Sequence, residues 1–137
     1  MGITRGATIS TYTTSSTVTS VSQSHTVDSG TTLMILVISQ EAISSLTVQP
    51  YWNGTEAFTL IHATTSSGSS GDVRNYTYGI VNPTSGTHNI TYTSTSNDNI
   101  HHSAINYLGT ETSSVANATG FLQEVVNNSG AKTVTFS

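Results

Sequence analysis

The chain has no cysteine, two prolines, one tryptophan, three basic side chains and seven acidic ones in 137 residues. Without cysteine there is no disulfide framework and no thiol nucleophile, so packing, hydrogen bonding or assembly must hold the fold. Arg5, Arg74 and Lys132 are the only Lys or Arg residues; they cannot neutralise many phosphates, which argues against direct binding to nucleic acid. The longest uninterrupted apolar run, Leu33 to Ile38, is far below the ~18 residues that span a bilayer. The N-terminal "MGITRGATIS" also lacks the apolar region of a secretory leader. The expectation is a protein made in the cytoplasm that does not enter a membrane.

Ser and Thr stand where charge is missing, at about a third of the chain. Hydrophobic residues make up 34% and the net charge is only -4. Disordered chains pair low hydrophobicity with high net charge, which this one lacks. Thr, Val, Ile and Tyr suit a pleated surface, while the residues that sustain long helices are scarce. The length fits one domain with a real core. These features predict an all-β fold, an antiparallel β-sandwich of jelly-roll or immunoglobulin-like type.

Turn-forming clusters recur at short intervals: "DSG" at 28–30, "NG" at 53–54, "SSGSSGD" at 66–72, "NPTSG" at 82–86, "SNDN" at 96–99 and "NNSG" at 127–130. Such spacing points to a sandwich or barrel. It predicts strands over 4–13, 17–27, 31–39, 44–52, 56–64, 73–81, 87–95, 101–108 and 131–136, a mobile loop over 64–72, and one short helix within "ANATGFLQEVVNN". Alternation puts Tyr76, Tyr78 and Ile80 on one face, and His88, Ile90 and Tyr92 on another. Leu33 to Ile38 does not alternate, which suits a central strand covered on both sides.

Three constellations invite chemistry. Val27, Asp28, Ser29, Gly30 and Thr31 resemble the signature of aspartic proteases, and Tyr107, Leu108 and Gly109 resemble that family's second element. The resemblance implies a dimer in which two Asp28 carboxylates share a proton. However, "SQSHT" before Asp28 is polar where that family has a buried strand. A tight turn with positive φ at Gly30, and Asp28 bonding its own backbone, is the simpler reading. His101 and His102 are adjacent and point to opposite faces of a strand. A metal would need His88 and Asp98 beside one of them, and the spacing is looser than zinc sites use. Tyr51 and Trp52 at a hairpin end suit a sugar-stacking platform, but Trp52 also suits core or subunit packing, and that reading is favoured. No G-x-S-x-G elbow anchors a serine hydrolase. The sequence therefore assigns no catalytic residue, no metal and no cofactor.

The pieces "SHTVDSGTTLMILVIS", "SSLTVQPYWNGTEAFTLI", "NYTYGIVNPTSGTHNITYT" and "HSAINYLG" follow one another as a pattern of turns and strands. That pattern, from about 24 to 109, resembles a β-sandwich domain of tailed-phage virion proteins. The resemblance implies a non-enzymatic structural protein of the virion, a decoration or cement protein that binds the major capsid protein and stabilises the head. It also implies self-association, with a trimer as the expected form. A carbohydrate- or receptor-binding module is the alternative, and the protease a minor one. Residues 1–23 are expected to form a strand or arm open to exchange with a neighbouring subunit, and 24–137 a single sandwich. Ile3, Ile9, Tyr12, Tyr51, Trp52, His101 and His102 are the residues expected to meet a partner or ligand.

Overall fold

Runs in which β-branched and aromatic side chains alternate with small polar ones become strands. The computed structural model describes residues 2–14, 18–42, 49–68, 71–115, 123–126 and 132–135. The strands are β1 (Thr4–Thr13), β2 (Val18–Val27), β3 (Thr31–Ala42), β4 (Tyr51–Trp52), β5 (Glu56–Ala57), β6 (Thr59–Gly68), β7 (Gly71–Val81), β8 (Gly86–Leu108), β9 (Gln123–Val126) and β10 (Lys132–Thr135). The fold is an all-β sandwich of two antiparallel sheets. Among the described residues, no helix is long and apolar enough to cross a membrane.

One long ribbon organises the molecule. β1 pairs with the end of β8, from Thr4↔Leu108 to Thr13↔His101, and β2 with its beginning, from Val18↔Asp98 to Val27↔Gly86. The amide of Thr14 donates to the carbonyl of Ile100 (3.0 Å), carrying the pairing past the end of β1. Between Val18 and Ser20 the partners jump from Asp98 to Thr93. This bulge bends the ribbon and divides β8 between the two sheets. The first sheet runs β1–β8–β3–β7–β6, and the second β2–β8–β4–β5. "SNDN" was expected to reverse the chain; it marks this bulge instead, and the two strands expected on either side of it are one.

The core lies between the sheets. Met34, Leu36 and Ile38 from β3 meet Tyr76, Tyr78 and Ile80 from β7, Ile90 and Tyr92 from β8, Val21 and Val27 from β2, and Trp52. Each fully buried aliphatic side chain of this kind contributes roughly 1.5–3 kcal/mol. β3 is central, between β7 and β8, as its unbroken apolar run predicts. Its outer face is covered only in part: Leu33 is buried, while Val37 is 38% exposed.

The turn residues act as their chemistry requires. Asn53 and Gly54 both have positive φ (52° and 71°) in the β4–β5 hairpin, the geometry an Asn-Gly pair favours. At 28–30 the amide of Thr31 donates to the carbonyl of Asp28 (3.1 Å), and Gly30 has φ of 82°. Two expectations need correction. The Gly/Ser stretch is no long loop, because the β6–β7 ladder continues to Gly68↔Gly71. Gln123–Val126, expected within a helix, pairs with Lys132–Thr135, as the β-branched Val125 and Val126 favour. The rest of that expected helix, the "NNSG" turn and most of the strand expected over 44–52 lie outside the described residues.

Candidate functional site

The inward face of β1 presents Gly6, Thr8, Ser10 and Tyr12, and each meets a polar or aromatic group of the sandwich. Gly6 is there because nothing larger fits: a Cβ would stand 2.7 Å from Oδ2 of Asp28 and 2.8 Å from Cβ of Asn106. The amide and hydroxyl of Thr8 donate to the two oxygens of Asp28, at 3.1 and 2.7 Å. The Asp28 carboxylate therefore staples β1 to the turn, and it does not bond its own turn backbone as expected. The Thr8 hydroxyl, then the Thr8 amide, hold its pKa below the ordinary carboxylate value, against a smaller opposing effect of burial.

Deeper in the seam, Nδ2 of Asn106 donates to the Thr26 carbonyl (2.9 Å) and to Asp28 (3.2 Å). Its Oδ1 faces Nε2 of His25 at 3.0 Å and can only accept, so Nε2 carries the proton. In the tautomer that this fixes, Nδ1 accepts from the hydroxyl of Ser10 at 2.8 Å. His25 and Asn106 are both buried. A hydroxyl, a base and an amide that orients the base form the skeleton of a nucleophilic site. Acyl transfer also needs oxyanion donors and room for the substrate beside the nucleophile. Ser10 instead sits on a regular strand opposite Ala104, with its hydroxyl turned toward an imidazole 1% exposed. The chain of bonds joins the two sheets.

Tyr12 stacks on His102 with ring centroids 5.2 Å apart. The Tyr92 hydroxyl, kept protonated because burial raises its pKa, donates to Nδ1 of His102 at 2.8 Å. His102 Nε2 then carries the ring proton and is buried without a hydrogen-bond partner. Burial, with a smaller contribution from His25, lowers the His102 pKa to about 4.

The outer face of the first sheet is a second surface. Thr14, Ser39, Glu41, Val73, Asn99 and His101 line an open depression of about 370 Å³ there. Asn99 donates to Glu41 at 3.0 Å, and His101 lies 3.1 Å from the Thr13 hydroxyl. Val37 and Val73, each 38% exposed, and Ile9, 44% exposed, are apolar points on this face.

The residues expected to meet a partner are dispersed. Ile3 and Tyr51 are exposed, as is Ile9, and His101 lies in the outer depression. Trp52 is fully buried and donates its indole proton to the Thr84 carbonyl at 2.9 Å. It offers no stacking face to a sugar, and buried His102 offers none to a partner. His88 lies opposite His25, edge-on to Trp52 at 5.3 Å, and away from the His101–His102 pair. Among the described residues, no three His, Asp or Glu side chains are grouped to hold a metal. The seam of Thr8, Ser10, His25 and Asn106 was missed because each residue is ordinary alone; the available signal was "GATISTY", whose alternation puts small polar residues on the face opposite Ile9. Comparison with known protein families, curated proteins and solved structures finds no match.

Proposed function

We propose that the chain is a non-enzymatic virion structural protein, a decoration or cement protein that binds the major capsid protein of a phage head and stabilises the shell. The observation that carries this reading is the outer face of the first sheet. Ser, Thr and Asn side chains, with Glu41 bonded to Asn99, surround exposed Val37 and Val73 beside a shallow depression. Such a face docks through apolar contact and neutral hydrogen bonds, which salt screens little. The polar seam supports the reading, since its catalytic-looking members are committed to joining strands. Co-sedimentation with purified heads tests it: the protein pellets with heads at low and high salt alike, and a protein that stays in the supernatant at every salt concentration is not a decoration protein.

The carbohydrate-binding alternative keeps exposed Tyr51 but loses its larger ring, because Trp52 is in the core. A glycan array without hits removes it. The protease alternative requires an Asp28 carboxylate free to share a proton, and the three hydrogen bonds from Thr8 and Asn106 favour its ionised form.

A further inference from the structure

β1 is bound to the sandwich with little hydrophobic anchorage. Of its ten residues only Gly6 is buried, and only the half-buried Tyr12 packs against the core. The remaining attachments among the described residues are the ladder to β8, the Thr8–Asp28 pair, the Ser10–His25 bond and the contact of the Thr13 hydroxyl with His101. A strand held in this way has a low free energy of local opening. Its opposite side carries Ile9, 44% exposed, with Ile3, 65% exposed, just before the strand.

The groove that β1 fills is unfavourable when empty. Without β1, residues 101–108 of β8 become an unpaired edge, and His25, His102 and Asn106 lose the strand that covers them. Neither that stretch nor β1 has the proline or repeated charge by which natural edge strands avoid pairing; Arg5 is the single charged residue among the two. Among the described residues, every partner of β1 lies on β8, β2 or the turn at 28–30, and a second copy presents the same partners in the same register. Exchange preserves all these bonds.

We propose that β1 is an exchangeable strand: on assembly, Thr4–Thr13 of one copy pairs with the end of β8 in a second copy, in the register it has within one chain. The exchange stands on the seam's geometry, independent of the surface the protein decorates.

Thr11 lies opposite Ser103 on the outer face, and the chain has no cysteine of its own. Full-length Thr11→Cys and full-length Ser103→Cys are therefore mixed in equal amounts, oxidised and separated without reductant. Exchange gives a mixed disulfide at twice the monomer mass, more abundant as concentration rises. The double variant T11C/S103C, oxidised at high dilution, shows whether the two positions pair at all. A monomeric disulfide in the double variant with no mixed dimer from the single variants overturns the proposal. Absence of both products overturns it too, because β1 then sits on no β8. If the substitutions prevent folding, native mass spectrometry of unmodified protein mixed with an isotope-labelled copy replaces the cross-link; exchange gives mixed dimers, and monomers alone refute it.

Discussion

The hydroxyl of Ser10 lies 2.8 Å from Nδ1 of His25, and this bond ties an edge strand of one sheet to a buried side chain of the other. Ser10→Ala leaves that nitrogen as a buried acceptor without a donor, which costs about 1–2 kcal/mol. Urea denaturation should show the lower midpoint with an unchanged slope, and amide exchange should quicken within β1. An unchanged midpoint would mean that the bond holds nothing.

Gly6→Ala tests the closeness of the seam. The new methyl would stand 2.7 Å from Asp28 Oδ2 and 2.8 Å from Asn106 Cβ. The carboxylate is able to swing aside, but Asn106 is fixed on a buried part of β8. A loss of about 1–3 kcal/mol follows, read as a lower thermal midpoint, with exchange faster in β1 than in β3.

Acid should weaken the fold through His102. Its folded pKa is near 4 against 6.5 for the free side chain. Between these values the unfolded chain binds the extra proton, so this contribution is full above pH 6.5 and is lost as pH falls toward 4. The loss is no more than roughly 3 kcal/mol. Tyr12, Tyr92 and His25 surround the ring and provide no carboxylate to offset its charge. Asp28, whose pKa is lowered, adds a second loss in the same direction below its ordinary value of 3.8. Denaturation midpoints should fall between pH 6.5 and 4 in the natural protein, and His102→Phe should flatten that part of the curve.

Trp52 provides an optical check. A fully buried indole should emit at short wavelength, resist quenching by iodide and remain unchanged when sugars are added. Strong iodide quenching of the folded protein would place the ring at the surface.

The sandwich was legible because strand-length alternation and Gly/Asn turns are local signals. Asn53–Gly54 and Asp28–Gly30 turn as their residue types demand. The long β8 was less legible, since "SNDN" has the same composition whether it reverses a chain or marks a bulge; only the pairing with β2 distinguishes the two. The Gly/Ser stretch misled for a similar reason, as a hairpin ladder rich in Gly and Ser has the composition of a loop. At β1 the usual rule is inverted, with Ile9 outward and Thr8 and Ser10 inward. A pattern search for apolar faces therefore assigned Ile9 to a partner and left the seam unseen. Trp52 was read both as core and as a partner contact, and its full burial leaves only the first, because a small sandwich has few other places for its single large indole.

Co-sedimentation of purified heads with natural protein and with Val73→Asp tests the central claim most directly. Val73 lies in the outer depression opposite Glu41, so the new carboxylate adds like charge to the proposed contact face while leaving the core untouched. The account predicts that natural protein pellets with heads at all salt concentrations, and that the folded variant loses at least about tenfold in affinity, on the order of 1.4 kcal/mol. Equal pelleting of the two proteins would contradict the assignment of this face, and failure of the natural protein to pellet would contradict the function itself.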